Sequence, residues 1–246
     1  MHTEDMKSFA IEMFAALGFL LAVVPIASAY STECSGLIPN GTVIDGNLTV
    51  PANTRCDLDD GTVNGNVRVE TDAALFISVG PGQTVTINGN VRVGTGARVL
   101  IGGETITVSG NLTADQCDDV RIAFGAITVT GNFIIENCTS TTEASGYNEV
   151  TLGGNFVCSG SGGEGCVASS GVVHGNLTMD NNTGDSSVFG NQISGNVNVS
   201  GNSASVIVGS NTIDGNLRCF DNRPPPSDFG IPNTVSGHKK GQCARL

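Results

Sequence analysis

The dipeptide Gly-Asn recurs nine times in one repeat frame of this sequence, at a nearly constant interval. Its asparagines are Asn47, Asn66, Asn90, Asn111, Asn132, Asn155, Asn176, Asn196 and Asn216. Successive spacings lie between 19 and 24 residues, and a repeat of this length is typical of one coil of a solenoid. The repeat therefore predicts a chain built from stacked coils, each in contact mainly with its two neighbours.

Apolar residues keep a fixed phase relative to each of these asparagines. The position three residues before it is always aliphatic: Ile44, Val63, Ile87, Val108, Val129, Leu152, Val173, Ile193 and Ile213. Apolar residues also stand one and three positions after it, as Leu112 and Ala114 do after Asn111. Apolar residues at alternate positions predict short strands with one buried face.

A third strand is predicted in the remainder of each unit. After Asn111, for example, the inward positions of this strand are Val120, Ile122 and Phe124. Three short strands joined by tight turns would close a roughly triangular coil, and each strand would pair in parallel with its copy one coil away. The sequence therefore predicts an all-β parallel β-helix of about nine coils, with about 21 residues in each.

The Gly-Asn corner has an expected physical reason. A sharp bend between two strands needs a positive φ, which glycine and asparagine tolerate best. Asparagine side chains stacked on successive coils can also bond amide to amide along the solenoid axis. Two further asparagine columns extend this pattern. They are Asn182, Asn202 and Asn222 in one column, and Asn191 and Asn211 in the other.

The repeated asparagines of residues 43 to 222 resemble the asparagine ladders of the single-stranded right-handed β-helix superfamily that includes pectate lyases. This resemblance implies a right-handed coil and a style of turn rather than an activity. The closing stretch DGNLRCFDNRPPPSDFGIPNTVSGHKKGQC is similar to the C-terminal end of uncharacterised secreted bacterial β-helix proteins. That second resemblance implies secretion and brings no activity with it.

The first 29 residues have the form of a secretory signal peptide. Lys7 precedes the apolar run FAALGFLLAVVP, and Ala27, Ser28 and Ala29 form an A-x-A cleavage site. We therefore expect an extracellular or periplasmic protein that is soluble after cleavage. Residues 30–222 are predicted to form the β-helix with an N-terminal cap. Residues 223–246, which contain three consecutive prolines, are predicted to cap the last strand edges.

Eight cysteines follow the predicted signal peptide, and an even number in an exported protein indicates four disulfides. Cys117 and Cys138 both lie six residues after a Gly-Asn asparagine, so they should face each other on neighbouring coils. The other predicted pairs are Cys34 with Cys56, Cys158 with Cys166, and Cys219 with Cys243. A metal site is the alternative, but neither a Cys-x-x-Cys pair nor a histidine cluster accompanies these cysteines.

The chain is acidic, which limits its partners. The whole sequence carries a net charge of −12, and removal of residues 1–29 leaves 10 basic and 20 acidic residues, a net charge of −10. Such a charge argues against nucleic acid and against anionic membrane surfaces as partners. Cations, basic proteins, polysaccharides and other extracellular surface ligands remain as candidate partners, and the sequence does not indicate an oligomeric state.

One pair of carboxylates forms a candidate metal site. Asp115 and Glu136 each lie four residues after a Gly-Asn asparagine, so they should lie about 5 Å apart on adjacent coils. Such a pair could hold Ca²⁺ or serve as an acid and a base, or it could be a solvated pair without a ligand. Polysaccharide lyases of the resembled fold use Ca²⁺ held by carboxylates and a basic residue that abstracts a proton. The resemblance therefore implies Arg121 as the base.

Threonine recurs four positions before the Gly-Asn asparagine. The residues are Thr62, Thr86, Thr107, Thr128, Thr151 and Thr212. Flat threonine arrays on β-solenoids resemble the ice-facing surfaces of some antifreeze proteins. The alternative is that threonine simply favours an exposed parallel strand, where it stacks on its own copies.

The leading hypothesis is a secreted, non-enzymatic β-helix that serves as an extracellular structural or binding module through its long polar faces. The alternative is a Ca²⁺-dependent polysaccharide lyase or a related carbohydrate-active enzyme, and ice binding ranks below both. The scarcity of aromatic side chains, with no Trp and two Tyr, argues against a sugar-processing enzyme. A deep acidic groove lined by Asp115, Glu136 and Arg121 would favour the lyase, whereas a smooth prism would favour the module.

Overall fold

The computed structural model describes residues 30–140, 142–145, 150–163 and 165–246. They form a parallel β-solenoid of about nine turns, so the predicted all-β solenoid is confirmed. The predicted signal peptide, residues 1–29, lies outside the described residues. Each full coil contributes one strand to each of three sheets, which we name A, B and C.

The three sheets run along the solenoid axis through the described part of the chain. Sheet A consists of β1 (Ser31–Glu33), β4 (Asn47–Val50), β7 (Val67–Val69), β10 (Val91–Val93), β13 (Leu112–Asp115), β16 (Phe133–Glu136), β19 (Phe156–Ser159), β22 (Leu177–Asp180), β25 (Val197–Ser200), β28 (Leu217–Phe220) and β30 (Lys239–Gly241). Sheet B consists of β2 (Gly36–Ile38), β5 (Arg55–Leu58), β8 (Ala74–Val79), β11 (Arg98–Gly103), β14 (Asp119–Ala123), β17 (Thr142–Ser145), β20 (Cys166–Ser169), β23 (Ser186–Phe189) and β26 (Val206–Gly209). Sheet C consists of β3 (Thr42–Ile44), β6 (Gly61–Val63), β9 (Val85–Ile87), β12 (Thr105–Val108), β15 (Ala126–Val129), β18 (Val150–Leu152), β21 (Val172–Val173), β24 (Gln192–Ile193), β27 (Thr212–Ile213) and β29 (Thr234–Val235).

The core consists of columns of equivalent residues from successive coils. On sheet A, Val91 lies opposite Leu112, which lies opposite Phe133, and all three are buried. Phe133 in turn stacks on Phe156, with ring centroids 5.3 Å apart. Because each apolar side chain packs on its own counterparts above and below, the fixed apolar phase of the repeat becomes one continuous core.

The Gly-Asn corner joins sheet C to sheet A, but its glycine is not required for the reason the sequence suggested. These glycines do not adopt a positive φ. A Cβ at Gly110 would instead lie 2.6 Å from Asn90 Oδ1 and 2.7 Å from the carbonyl oxygen of Gly89. The corners of adjacent coils therefore stack too closely for a side chain at the glycine position. The prediction of a positive φ at this corner was wrong.

The predicted ladder of Gly-Asn asparagines is present along the whole solenoid. The Oδ1 atom of each asparagine accepts hydrogen bonds from the next coil, as Asn111 does from the backbone N–H of Asn132 at 2.8 Å and from its Nδ2 at 3.1 Å. The ladder ends where the backbone N–H of His238 donates to Asn216. These side chains lie at the edge of the solenoid and are half-buried or exposed.

Two further ladders lie inside the solenoid, in the columns that the sequence indicated. Asn182, Asn202 and Asn222 occupy the corner between sheets A and B, and their ladder ends on the Oε1 atom of Gln242. Asn191 and Asn211 occupy the corner between sheets B and C, and their ladder ends on Asn233. All six asparagines are buried. In both ladders the backbone N–H of the earlier coil donates to the later coil, opposite to the Gly-Asn ladder.

The four predicted disulfides are confirmed. They join Cys34 to Cys56, Cys117 to Cys138, Cys158 to Cys166, and Cys219 to Cys243. The Cα atoms of Cys117 and Cys138 are 4.5 Å apart, which matches the spacing between neighbouring strands. This bond therefore joins equivalent positions of adjacent coils, as the repeat phase predicted.

The two ends of the described chain continue the sheets. Strands β1 and β2, which lie within residues 30–42, pair with the first full coil. The C-terminal segment, residues 223–246, adds β29 to sheet C, β30 to sheet A and a 3-10 helix over Gln242–Arg245. Within the described part of the chain, none of the helical structure is long and apolar enough to cross a lipid bilayer.

Candidate functional site

The predicted carboxylate pair lies on the outer face of sheet A. Asp115 is directly opposite Glu136 in the register of β13 and β16, and both side chains are exposed. Asn137 Nδ2 donates a hydrogen bond of 3.1 Å to Asp115 Oδ1. The two carboxylates line a shallow groove of about 440 Å³ together with Arg92 and Thr95. The spacing of the repeat thus brings these two residues together.

The carboxylate pair offers a limited ligand set for Ca²⁺. Two carboxylates supply at most four of the six to eight oxygen ligands that Ca²⁺ takes. Across residues 30–140, 142–145, 150–163 and 165–246, the His, Cys, Asp and Glu side chains form no group of three or more that could hold a metal ion. A Ca²⁺ role for Asp115 and Glu136 stays a prediction.

Arg121, the candidate base, lies on a different face. It is half-buried on β14 of sheet B, and its Nε atom donates a hydrogen bond of 3.0 Å to Asp119 Oδ1. Burial raises the pKa of the Asp119 carboxyl above its ordinary value, although the hydrogen bond from Arg121 opposes the shift. The corner between sheets A and B separates Arg121 from Asp115 and Glu136, and the two groups line different grooves.

Asp118 lies at that corner, next to Asp119 in the sequence, and its pKa is shifted in the opposite direction. Ser140 Oγ donates a hydrogen bond of 2.7 Å to Asp118 Oδ1, and Arg98 forms an ion pair with the same carboxylate. The hydrogen bond from Ser140, followed by the contribution of Arg98, lowers the pKa of Asp118 even though burial opposes the shift. Asp118 is therefore an ionised structural partner that ties adjacent coils together.

A second groove, of about 330 Å³, lies on the outer face of sheet B. Its apolar lining includes the outward side chains of Phe76 and Leu100, which are neighbours in the register of β8 and β11. Phe124 lines it from the corner after β14, and Arg121 and Glu143 contribute polar groups. We call these five residues and the space between them the sheet B groove.

Phe124 does not take the position that the alternating pattern predicted. Val120 and Ile122 are buried as expected, but Phe124 is 75% exposed. Strand β14 ends at Ala123, and the chain turns at Phe124 with a φ of +61°. The turn rotates the side chain away from the core, so the prediction of an inward Phe124 was wrong.

Phe76 and Leu100 were not predicted as site residues, although the sequence contains a signal for them. The strands ALFISV and RVLIGG each contain a continuous apolar run rather than a strict alternation. In a strand with a single buried face, such a run places apolar side chains on the outer face as well. Consecutive apolar residues on neighbouring coils therefore marked this groove.

The outer face of sheet C carries the threonine column. Strand register places five threonines in one uninterrupted row. They are Thr62, Thr86, Thr107, Thr128 and Thr151. Val172 and Gln192 then break the row before Thr212. The predicted array is thus continuous over five coils and ends there.

No protein-family model, no curated protein and no solved structure matches this chain. The resemblance to the pectate-lyase superfamily therefore depends on the repeat pattern and the ladders.

Proposed function

We propose that this protein is a non-enzymatic extracellular module that acts through the outer faces of its sheets. The observation that carries the proposal is the separation of the candidate lyase residues, because Arg121 lies on sheet B while Asp115 and Glu136 lie on sheet A. A proton-abstracting base must lie within hydrogen-bond reach of the substrate that the metal holds. The four disulfides are consistent with an extracellular or periplasmic location.

The architecture suits a binding role. Each face presents side chains at intervals of about 4.8 Å along the axis, which is a regular surface for an extended partner. The stacked core, the three ladders and the disulfides hold these side chains on a rigid scaffold. Little ordering entropy is then lost on binding, and a preorganised surface gains affinity for that reason.

The alternative, a Ca²⁺-dependent polysaccharide lyase, has less support. It would need a basic residue close to Asp115 and Glu136, and Arg92 is the basic residue that lines the same groove. Arg92 is exposed, and a shallow groove provides little of the enclosure that excludes water from an active site. The lyase therefore ranks second.

Ice binding is a further candidate, favoured by the uninterrupted row of five threonines on sheet C. Thermal hysteresis of the purified protein tests it. Thr107→Lys, in the middle of the row, should abolish any hysteresis, whereas Thr212→Lys, beyond the break, should retain it. Absence of hysteresis in the unsubstituted protein would remove this candidate.

The decisive test of the proposal combines a cleavage assay with a stability assay. The mature protein is incubated with acidic and neutral polysaccharides with and without Ca²⁺, and unsaturated products are followed by ultraviolet absorbance. We expect no cleavage and no Ca²⁺-dependent change in Tm. The double variant Asp115→Asn, Glu136→Gln should melt slightly higher, because like charges directly opposite each other destabilise a sheet.

The opposite result is equally clear. A Ca²⁺-dependent rise in Tm that is lost in the double variant would show metal binding at Asp115 and Glu136. If cleavage of an acidic polysaccharide accompanied it, the protein would be an enzyme, and Arg92, which lines the same groove, would be the first residue to test as the base.

A further inference from the structure

We propose that the sheet B groove binds the ring of an uncharged sugar, which it holds against Phe76, Leu100 and Phe124. This inference rests on the proposed function and gives the module a ligand class. Four features of the groove support it: its apolar floor, the conformation of Phe124, the space between the rings and the charge balance of the face.

The floor of the groove is apolar. Phe76 and Leu100 point outward from adjacent strands and are half-buried. The guanidinium carbon of Arg55 lies 4.1 Å from the centroid of the Phe76 ring, and Asp57 holds Arg55 through hydrogen bonds of 2.9 and 2.6 Å. This contact covers one face of the Phe76 ring and restrains its orientation before a ligand arrives.

Phe124 combines two unfavourable features at the rim of the groove. Its φ of +61° lies in the left-handed region, which is rare for a bulky residue and strains its backbone. The residue is also 75% exposed to solvent. Glycine would meet the backbone requirement at this corner without either cost. In the groove, a ligand that stacks on the ring would offset both costs at Phe124.

Small residues between the aromatic side chains leave space for a ring. Gly102 and Ala123 line the groove together with Ser78. The groove volume of about 330 Å³ lies within the range of small-molecule sites, which are mostly apolar and carry a few polar groups. The lining residues extend from β8 to β17, a distance of three strand spacings or about 14 Å.

The charges of sheet B favour an uncharged ligand. Within its described strands, each arginine is paired with an aspartate: Arg55 with Asp57, Arg98 with Asp118, and Arg121 with Asp119. Glu143, which lies opposite Arg121 in the register of β14 and β17, adds one carboxylate at the rim. The charges around the aromatic floor therefore nearly cancel. A sugar ring has an apolar C–H face, which packs on aromatic and aliphatic side chains, and hydroxyl edges, which bond to polar groups at the rim.

The test uses the mature, disulfide-bonded protein and calorimetric titration with neutral probes, namely a soluble glucan, a mannan and a galactan. Phe124→Gly removes the ring and relieves the backbone, so Tm should not fall while binding weakens at least tenfold. Phe229→Gly is the matched control. Phe229 also has a left-handed backbone, with a φ of +52°, and is 69% exposed, but it lies in the C-terminal segment and should leave binding unchanged.

A second pair of variants tests the floor. Leu100→Glu places a charge beneath the ligand and should weaken binding as strongly as Phe124→Gly. Leu37→Glu is its control, because Leu37 is 64% exposed in the same outward column of sheet B but lies outside the groove. Leu37→Glu should bind the neutral probes as the unsubstituted protein does.

Several outcomes would overturn the inference. The first is that Phe124→Gly binds the neutral probes as tightly as the unsubstituted protein does. The second is that Phe124→Gly and Phe229→Gly lose the same amount of binding affinity. The third is that an extended peptide or an acidic polysaccharide binds while every neutral probe fails. The last outcome would leave the proposed extracellular module intact. Cleavage of a neutral probe that Phe124→Gly no longer binds would instead support the groove and overturn the non-enzymatic proposal.

Discussion

The corner between sheets A and B is built in two ways along the same solenoid. In the middle coils, six residues after the Gly-Asn asparagine, the column holds Cys117 and Cys138 joined by a disulfide. In the last coils, the same column holds the buried ladder of Asn182, Asn202 and Asn222. Backbone hydrogen bonds between adjacent coils continue through both regions in one register.

One inward position can thus be filled by a covalent link or by an amide ladder. A disulfide joins two coils and then stops, and Ser161 separates it from the ladder. The ladder can extend for as many coils as supply an asparagine, but its last member needs an acceptor, which Gln242 provides. The two regions should therefore respond differently to substitution and to reduction.

The largest effect should come from Asn202→Leu. The side chain is buried, accepts from the backbone N–H of Asn182 at 3.0 Å, and donates to Met179 O and Asn222 Oδ1 at 3.2 and 2.7 Å. Leucine would leave these partners without hydrogen bonds, at a cost of about 3 kcal/mol or more. Denaturant unfolding measures the loss, and the outward, half-buried Asn198→Leu is the control. Equal stability of the two variants would contradict the buried ladder.

The next largest effect should come from Cys117→Ser with Cys138→Ser. Removal of a bond that closes about 20 residues should lower the free energy of unfolding by about 3 kcal/mol in the chain-entropy model. If this column can hold either a disulfide or an asparagine ladder, the double variant Cys117→Asn, Cys138→Asn should be more stable than the double serine variant. A lower stability of the asparagine pair would show that the two regions of the column are not interchangeable.

A smaller effect is expected for Asn132→Leu in the Gly-Asn ladder. Asn132 Oδ1 accepts from the backbone N–H and the Nδ2 of Asn155 at 2.8 and 2.9 Å. Because Asn132 is only half-buried, water can replace part of what is lost, and we expect a cost of about 1 to 2 kcal/mol. Thermal unfolding of Asn132→Leu and Asn202→Leu under the same conditions shows which variant loses more stability. A greater loss in Asn132→Leu would reverse the assignment of the inner ladder as the stronger one.

The smallest effect should be pH-dependent and come from Asp118→Asn. The pKa of Asp118 is lowered from 3.8, so its contribution to stability is present above that value and is lost as pH falls through the folded-state pKa. The variant should therefore be less stable than the unsubstituted protein at pH 7, by less than about 1 kcal/mol, and should match it in strong acid. Chemical unfolding across this pH range measures the difference. A difference in unfolding free energy between the two proteins that grows as the pH falls would contradict the prediction.

Asp119→Asn provides the contrast, because burial raises the pKa of Asp119. Stability from such a group is present below its unfolded value and is lost as pH rises through the folded-state pKa. The stability of Asp119→Asn relative to the unsubstituted protein should therefore increase from acid to neutral pH, opposite to the trend for Asp118→Asn.

The repeat was sufficient to predict much of the stacking. Cys117 and Cys138 share one phase, as do Asp115 and Glu136, and in a parallel solenoid residues of equal phase lie on adjacent coils. The reason for the Gly-Asn glycine could not be predicted in the same way. The repeat phase of a residue predicts which residues lie next to it on the adjacent coils. It does not predict how closely the corners of adjacent coils approach each other, and this approach sets the distance of 2.6 Å from a Cβ at Gly110 to Asn90 Oδ1.

The sequence by itself determined the parallel solenoid, its coil length, its core columns, its ladders and the disulfide between Cys117 and Cys138, because each follows from a periodic pattern that the stacking of coils converts directly into contacts. Only the tertiary structure decided which residues meet around a corner. The turn after Ala123 exposes Phe124 in the groove that Phe76 also lines. This outcome depends on the backbone angle of a single corner residue, which varies from coil to coil and leaves no periodic signal.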